Sequence, residues 1–256
     1  MESMGKSNLS KVSELTSNDG IQAVSPYAGL KLVDLGVKLP GGWSAGKKLI
    51  ENTIGGLGDV SFGETNIHGF SLATVDIYYD NPVESGIAES VSISGRKFKV
   101  YREQKLIYLE TDELPDAGEL KDLPAATGTA DKELVLAAAS PVSLVAAIYA
   151  CSQAAPLFLK QLLQKGLAEE EIIWAWSTVP LPTLADDGRL MEARTEAALK
   201  YGSVLSFWVR SEDEKIEEAL KEIVPYGEVR IHNLRTARTI IRGFADHDKL
   251  KESFGI

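Results

Sequence analysis

Short apolar runs alternate with amphipathic runs along the 256 residues of this chain, and the alternation predicts strands interleaved with helices. The clearest strand is Phe70–Tyr79, which is rich in aromatic and β-branched residues. Further strands are expected at residues 30–36, 59–62, 98–101, 105–110, 133–139, 171–177, 204–209, 228–233 and 239–242, with a turn at 63–69. Helices are expected at residues 83–90, 189–200, 212–223 and 247–254. Together these elements predict an α/β to α+β fold with mixed sheets.

Residues 30–59 contain the densest group of structural signals, which predict a strand, a turn, a helix and a second turn. Pro40 and Gly41 end the strand, because proline fixes φ and glycine permits positive φ. Ser44 is expected to cap a helix at residues 45–54 by accepting a backbone N–H bond.

Gly55 and Gly56 end this helix, and Asp59 lies at the start of the next strand. Glycine turns let a ligand come close to backbone N–H groups. Two interpretations therefore stay open at this point: the turns serve the chain reversal alone, or they also face a ligand.

The segment at residues 111–129 is rich in acidic residues, glycine and proline, and it reads as a loop between two halves of the molecule. The predicted organisation is a polar segment at 1–25, a first α/β sub-domain at 26–125 and a second at 126–256. The two sub-domains are expected to be intimate, with a cleft between them.

The second half restarts with a strand and a long helix at residues 141–165. Ser140 is the expected N-cap of this helix. Pro156 falls inside it, and an interior proline costs about 3 kcal/mol. We therefore expect a kink, or two helices joined at residues 151–155.

Composition excludes several classes of partner. The formal net charge is −10 and the pI is about 4.9. Nucleic acids and anionic membranes both favour a basic surface, so neither is expected as a partner. A local basic site for an anionic small molecule stays compatible with this balance.

A single cysteine, Cys151, rules out an intrachain disulfide and fits a reducing compartment. The polar N-terminal residues lack the apolar core of a secretory signal. The apolar stretch at 134–150 is interrupted by serine and proline and is not a plausible membrane span. The expected location is the cytoplasm.

Familiar catalytic motifs are absent from the sequence: there is no dinucleotide fingerprint, phosphate-binding loop, zinc-protease motif or serine elbow. Asp246, His247 and Asp248 could bind a metal only with a ligand from elsewhere, so we expect a surface role for them and no metal site.

Asp76 and Asp80 are a pair of carboxylates near the end of one strand, and they share a face if the strand is regular. They could act as a general acid and base whose pKa values are separated by mutual repulsion. Alternatively, Asp80 caps the following turn and Asp76 is a partly exposed strand residue.

The run at residues 33–60, VDLGVKLPGGWSAGKKLIENTIGGLGDV, resembles the methenyltetrahydromethanopterin cyclohydrolase family. The likeness continues through residues 72–82, which end in Tyr-Asp-Asn-Pro, and through 200–204. It returns at the C-terminal hairpin, with Asn233, Arg238 and Gly243.

The resemblance implies a compact two-part fold with a pterin cleft between the halves and a homotrimer. The family reaction is hydrolysis of the methenyl group on tetrahydromethanopterin to a formyl group. A pterin of this type is therefore the implied ligand or substrate, with no covalently bound cofactor. The residues that the resemblance and the turns suggest for binding are Pro40, Gly41, Gly55, Gly56, Asp59, Asn81, Ser140, Gln153 and Tyr201.

This chain departs from the family where the chemistry is expected. A helix in the second half of the family carries an arginine and, three residues later, a glutamate that are thought to handle the attacking water. Here Gln153 and Pro156 occupy those positions. A family lysine has no clear match near residues 93–94, although Arg96 is close, and residues 102–133 form a shorter connection that lacks the family's G-P-A-R segment.

Three hypotheses follow from this combination. The first is a divergent paralogue that binds a reduced pterin or a precursor of a C1 cofactor, without conventional cyclohydrolase chemistry and with a possible role in cofactor biosynthesis. The second is an active cyclohydrolase with relocated catalytic residues, for which the candidates are Asp76, Asp80, Glu84 and Arg96. The third is a non-catalytic subunit or assembly protein with a hetero-partner.

Overall fold

The computed structural model describes residues 22–24, 31–39, 41–54, 57–80, 89–94, 96–103, 106–127 and 135–256. Within these ranges the strands are β1 (Gln22–Val24), β2 (Lys31–Gly36), β3 (Gly58–Ile67), β4 (Phe70–Tyr79), β5 (Glu89–Ile93), β6 (Arg96–Glu103), β7 (Leu106–Glu110), β8 (Val135–Ala139), β9 (Ile172–Pro180), β10 (Val204–Val209), β11 (Glu228–Asn233) and β12 (Thr239–Gly243). The α-helices are α1 (Trp43–Thr53), α2 (Ala117–Thr127), α3 (Leu144–Ser152), α4 (Ala154–Gln164), α5 (Gly188–Ala197), α6 (Asp213–Lys221) and α7 (His247–Phe254).

The chain divides into two compact units, and each contains one six-stranded sheet. Unit 1 comprises Met1–Gly56 and Gly86–Tyr149, and unit 2 comprises Leu57–Ser85 and Ala150–Ile256. Both sheets mix parallel and antiparallel pairs, which confirms the predicted α/β to α+β class.

The sheet of unit 1 has the strand order β1-β2-β8-β7-β6-β5, and its three central strands β2, β8 and β7 are parallel. Helix α2 covers one face over an apolar cluster formed by Leu32, Ile93, Phe98, Val100, Ile107, Leu109, Leu120, Leu123, Leu136 and Ala138. Helices α1 and α3 approach each other closely at Gly46, where a β-carbon would lie 2.7 Å from Ile148 Cδ1. Burial of these parallel strands explains why β8 is apolar throughout and why β2 is apolar except at Lys31 and Asp34.

The sheet of unit 2 has the order β12-β11-β10-β9-β4-β3. Only β10 and β11 are parallel among its described pairs, and helix α6 connects them. Alternate residues of β9, β10 and β11 are buried, as in a sheet with one covered face. Phe158 of α4 contacts Phe207 of β10 within this core, with ring centroids 5.5 Å apart.

Several elements have the bounds that the sequence predicts: Phe70–Tyr79, Val204–Val209, Glu228–Asn233 and His247–Phe254. The long second-half helix is broken at Gln153 into α3 and α4, which confirms the predicted division around Pro156. The expected turn at 63–69 is wrong, because β3 extends to Ile67 and pairs with β4 along its whole length. The helix expected at 83–90 falls largely outside the described residues.

The loop expected at residues 111–129 is also wrong, because α2 occupies Ala117–Thr127. Its start is a reciprocal capping box. The Asp116 carboxylate accepts the backbone N–H of Glu119 at 2.8 Å, and the Glu119 carboxylate accepts that of Asp116 at 2.9 Å. Leu120 and Leu123 then bury the helix against the sheet, so capping and burial outweigh the composition of the segment.

Both expected serine caps lie at the wrong residue. Helix α1 begins at Trp43 with Gly42 as its N-cap, so Ser44 is already inside the helix. Helix α3 begins at Leu144, and the Ser143 hydroxyl accepts the N–H of Ala146 at 3.1 Å. Ser140 instead begins the turn before α3.

The two compact units differ from the sub-domains at 26–125 and 126–256 that the sequence suggests. The β3–β4 hairpin belongs to unit 2, since β4 pairs with β9 about a hundred residues later. The second boundary between the units also differs from the predicted one, because it falls between Tyr149 and Ala150, inside helix α3. Strand pairing, rather than loop-like composition, decides which segments share a sheet.

None of the helices in the described part of the chain is long and apolar enough to cross a membrane.

Buried ionisable groups make the stability of both units sensitive to alkaline pH. The hydroxyls of Tyr79 and Tyr108 and the thiol of Cys151 are buried, and burial raises the pKa of each above its ordinary value. The ordinary pKa is about 8.5 for cysteine and about 10 for tyrosine. Each group therefore contributes its full stability below its unfolded-state pKa and loses it as the pH rises further towards the folded-state pKa.

We predict that the free energy of unfolding falls as the pH rises from about 8.5 to above 10, by up to about 1.4 kcal/mol per pH unit for each group. The Tyr108 hydroxyl has no hydrogen-bond partner among the described residues. Tyr108→Phe should therefore be neutral or stabilising at pH 7 and should reduce the alkaline loss.

Tyr79→Phe is the matched control, because the Tyr79 hydroxyl donates to the Ser152 carbonyl at 2.6 Å. Its loss should cost about 1 kcal/mol at neutral pH. Urea denaturation of the three proteins at neutral and alkaline pH measures both effects. Equal pH slopes for the wild type and Tyr108→Phe would contradict the prediction.

Candidate functional site

A buried carboxylate shapes the turn that follows the first parallel strand of unit 1. Asp34 is 3% exposed near the end of β2. Its carboxylate accepts three successive backbone N–H groups, from Gly36 at 3.0 Å, Val37 at 2.7 Å and Lys38 at 3.0 Å. Hydrogen bonds to a charged acceptor are stronger than neutral ones, so this turn is firmly held.

The same turn folds back against its own strand at Gly41. A β-carbon at this residue would lie 2.1 Å from the Leu35 carbonyl oxygen and 2.5 Å from Val145 Cγ2. Only glycine permits such a close approach. Gly42 follows as the N-cap of α1 and has no side chain with which to cap it.

Neighbouring strand ends bring further polar groups to this edge of the sheet. Ser140 follows β8, where its N–H donates to the Gly36 carbonyl at 3.2 Å and its hydroxyl donates to Asp112 at 3.2 Å. Thr111 follows β7 and donates its N–H to the Ala139 carbonyl at 3.0 Å. We call this region, the ends of β2, β8 and β7 with the turns that follow them, the carboxyl edge.

The carboxyl edge has the features of a small-molecule site. Ligands of open α/β sheets bind outside the carboxyl ends of parallel strands. Helices α1 and α3 both begin here, and helix N-termini favour anionic or electron-rich groups. Hydroxyl groups, carboxylates and backbone N–H groups together can recognise a polar heterocycle by hydrogen bonds.

A second carboxylate, which the sequence did not single out, lies at the same edge. Glu110 ends β7, with 10% of its side chain exposed. Lys99 Nζ lies 3.1 Å from it, and the Tyr101 hydroxyl donates to it at 3.2 Å. The rings of Tyr108 and Tyr149 complete the cluster, with centroids 4.5 Å apart. A largely buried carboxylate beside a lysine and a phenol is suited to proton transfer.

Comparison with known proteins identifies the family of this chain. A model of the family described as Cyclohydrolase (MCH) matches residues 3–93 and 93–226, which is more than half of the chain. The chain belongs to this family.

Individual relatives are distant. A methenyltetrahydromethanopterin cyclohydrolase of Methanospirillum hungatei is 24% identical, and the match covers 69% of this chain but 65% of that protein. One of Methanocorpusculum labreanum is 26% identical over 80% of this chain and 74% of its own length. One of Rhodopirellula baltica is 22% identical, and the match covers 90% of this chain and 87% of that protein. This chain is a divergent member of the cyclohydrolase family.

The position that the resemblance assigns to the family's arginine is occupied by a buried amide. Gln153 separates α3 from α4 and is 8% exposed. Its side-chain Nε2 donates to the Ser152 hydroxyl at 3.1 Å, and its backbone carbonyl accepts the N–H of Leu157 at 3.0 Å. Pro156 lies in the first turn of α4, where its missing N–H costs little. Neither residue can carry a charge, so the two family positions supply no acid or base.

Arg96 is occupied in holding α2 against β6. Its guanidinium pairs with Glu119 at 3.1 Å and donates to the Thr111 hydroxyl at 2.5 Å and to the Glu113 carbonyl. It also lies 4.8 Å from the centroid of the Phe98 ring. These contacts support a structural role, and its catalytic role stays a prediction.

The acidic candidates of unit 2, Asp76 and Asp80, lie on β4 and directly after it. Burial, and then the neighbouring carboxylates of Asp80 and Asp59, raise the pKa of Tyr78, so the three side chains lie together. Asp76 lies two residues along β4 and accepts the Thr74 hydroxyl at 3.1 Å. Asp80 is exposed just beyond the strand, and an acid–base role for the Asp76 and Asp80 pair stays a prediction.

Tyr201, another predicted binding residue, lies in a π turn of unit 2 at Ala198–Gly202. The ammonium groups of Lys200 and Lys249 lie 5.3 and 5.4 Å from the centroid of its ring. Its carbonyl accepts the N–H of Asp246 at 2.8 Å, which fixes the turn next to α7.

The structure thus brings together Gly41 and Ser140 in unit 1, and Asp59 and Asp80 in unit 2. The remaining predicted residues Pro40, Gly55, Gly56, Asn81 and Glu84 lie outside the described residues. The cleft between the two sub-domains stays a prediction. No group of three or more metal-ligating side chains in the described ranges is arranged to hold a metal ion.

We predict that Asp34→Ala destabilises the protein by about 3 kcal/mol, because three backbone N–H groups lose their acceptor. Asp34→Asn keeps one accepting oxygen and should cost less. Asp186→Ala, at an exposed loop residue, is the control and should change stability by less than about 0.5 kcal/mol. Urea unfolding measures all three, and equal losses for Asp34→Ala and Asp186→Ala would refute the role of Asp34.

A separate prediction concerns the close approach at Gly41. Gly41→Ala should cost about 2 kcal/mol or more, since a methyl group there meets backbone and side-chain atoms. Gly188→Ala, in the first turn of α5 with no atom within 4 Å of the added carbon, should be neutral or slightly stabilising. Thermal unfolding of the two variants distinguishes them.

Proposed function

We propose that this chain binds a reduced pterin of the tetrahydromethanopterin type, or a precursor of such a C1 cofactor, at the carboxyl edge of unit 1. The observation that carries the proposal is the turn held by Asp34 and closed at Gly41, which lies beside Ser140 at the ends of parallel strands. The relatives of this chain are named for their action on methenyltetrahydromethanopterin.

Conventional cyclohydrolase chemistry is not part of this proposal. Gln153 and Pro156 stand where the resemblance expects a charged pair, and neither can accept a proton from water. A general base contributes about 10²–10⁴ to a rate, so its loss removes most of the catalysis. The proposed role is binding within methanopterin-linked C1 metabolism, or in the biosynthesis of a C1 cofactor.

The proposal has consequences for the state of the protein in the cell. The single buried cysteine supports a reducing location such as the cytoplasm. The resemblance further supports a homo-oligomer, a trimer in the family pattern. A hetero-partner, as for a non-catalytic subunit or assembly protein, is the alternative to self-association.

Glu110 supports a second candidate function, an active cyclohydrolase with a relocated base. In this reaction water adds to the methenyl carbon, one carbon–nitrogen bond breaks, and a formyl group stays on the other nitrogen with release of one proton. The Glu110 carboxylate could accept that proton. Lys99 Nζ lies 3.1 Å from this carboxylate.

We predict that calorimetric titration with a reduced tetrahydromethanopterin-type pterin gives saturable heat, and that loss of the methenyl chromophore stays at the spontaneous rate. Ser140→Ala should weaken binding about tenfold through the loss of one hydrogen bond. Glu252→Ala, in exposed helix α7, should not affect it. Absence of heat for the wild type would refute the binding proposal.

The rate at which the methenyl chromophore is lost decides between binding and catalysis. A wild-type rate above the spontaneous level that falls about 10²-fold or more in Glu110→Gln would establish the second function. Native mass spectrometry of protein purified from its own host tests the remaining alternative, a non-catalytic subunit or assembly protein. A stable hetero-oligomer would support that alternative over pterin binding or catalysis by the chain itself.

A further inference from the structure

The turn that follows β7 carries an exposed carboxylate at the carboxyl edge. Asp112 lies directly after Thr111, which is the first residue beyond the strand. The Oδ1 atom of Asp112 accepts the Ser140 hydroxyl at 3.2 Å, so a contact from the neighbouring strand end orients the carboxylate. Within the part of the chain that the structure describes, the Asp112 carboxylate accepts no second hydrogen bond.

A single arginine fixes the main chain on both sides of Asp112. The Arg96 guanidinium donates to the Thr111 hydroxyl at 2.5 Å and to the Glu113 carbonyl, which precede and follow Asp112. The Thr111 hydroxyl also donates to the Glu113 carbonyl at 2.7 Å, which closes the turn. Glu119 pairs with Arg96 at 3.1 Å and anchors the guanidinium on α2. The planar fork of an arginine can hold several acceptors at once, so Asp112 stands at the tip of a fixed turn.

The other carboxylates of this edge are already engaged. That of Asp34 accepts three backbone N–H groups, that of Glu110 is paired with a lysine, and that of Asp116 caps α2. Asp112 is the one of these four that bonds neither a backbone N–H nor a cation. The two oxygens of a carboxylate offer about four acceptor positions, and Ser140 occupies one of them.

A fixed and exposed carboxylate is suited to a ligand with two parallel N–H donors. Carboxylates bind such pairs through both oxygens, as they bind the guanidinium of an arginine. The 2-amino-4-oxopyrimidine ring of a pterin presents this pattern at its N3–H and its 2-amino group. Helices α1 and α3 begin at the same edge, and their N-termini favour electron-rich groups such as the 4-oxo oxygen.

We propose that Asp112 recognises the 2-amino-4-oxopyrimidine edge of the ligand, and that Arg96 is the positioning residue that holds Asp112 in place. These roles rest on the pterin binding proposed above, and they specify which edge of the ring is bound and by which side chain. Ser140 contributes by orienting the Asp112 carboxylate. Recognition by Asp112 is separate from proton transfer at Glu110.

The proposal predicts selection against a ligand that differs in one group. In the 2-oxo analogue, a lumazine, a carbonyl acceptor replaces the 2-amino donor. This carbonyl would face an oxygen of Asp112, so one hydrogen bond is lost and two acceptors meet. The wild type should therefore bind the 2-amino ligand about 30-fold more tightly than the 2-oxo ligand.

The test is calorimetric titration of the full chain with a reduced tetrahydromethanopterin-type pterin and with its 2-oxo analogue. Asp112→Asn should lower the affinity for the 2-amino ligand about 30-fold. It should also invert the preference, because the amide oxygen accepts the N3–H while the amide NH₂ donates to the 2-oxo group. An inverted preference cannot result from a general loss of structure.

A matched variant controls for the change of charge. Asp122→Asn removes the same charge at an exposed position of α2 and should leave both affinities unchanged. Circular dichroism checks that each variant is folded.

The positioning role of Arg96 has its own readout. An ammonium group lacks the fork that bonds Thr111 and Glu113 together, so Arg96→Lys should reduce the preference for the 2-amino ligand at least about threefold. The ratio of the two affinities is the measurement, because a purely structural loss weakens both ligands alike. Thr111→Val, which removes the shared hydroxyl, replaces Arg96→Lys if that variant does not fold.

The possible results separate this proposal from pterin binding itself. Saturable heat from the wild type with equal affinity for the two ligands, or an unchanged preference in Asp112→Asn, overturns the role of Asp112 and leaves pterin binding standing. An unchanged ratio in Arg96→Lys and in Thr111→Val overturns the positioning role. Absence of heat with both ligands refutes pterin binding and the role of Asp112 together.

Discussion

The carboxylate of Asp34 is the constraint on which the organisation of unit 1 depends. It accepts three consecutive backbone N–H groups directly after β2, so the chain must turn there. The turn returns to the strand at Gly41, where backbone meets backbone too closely for any side chain. Helix α1 can then start at once, and Gly46 lets it pack directly on α3. Together these contacts place the turn after β2 and the start of α1 at the carboxyl edge.

Sequence patterns predicted the elements whose signals are local. Phe70–Tyr79 and His247–Phe254 were predicted at their observed bounds, because strand and helix periodicity and caps lie within a few residues. Helix α2 forms where the acidic and glycine-rich composition predicts a loop, because Asp116 and Glu119 form a capping box at its start. The signal for this helix was present in the chain.

Other features depend on contacts that no local pattern contains. The pairing of β4 with β9 joins segments about a hundred residues apart and moves the β3–β4 hairpin into unit 2. Glu110 looked like an ordinary strand end, and only the pairing of β6 with β7 brings Lys99 opposite it. At Asp34 the D-x-G-V run did carry a signal, since an aspartate followed by a glycine turn can bond the next N–H groups.

The firmly held turn and the uncharged residues Gln153 and Pro156 are physically compatible, because the two features depend on different contacts. The turn is fixed by hydrogen bonds within unit 1, whereas Gln153 and Pro156 lie at a helix junction in unit 2. That junction is fixed by its own contact, the bond from the Tyr79 hydroxyl to Ser152. The contacts that hold the turn, at Asp34 and Gly41, are made with residues of unit 1.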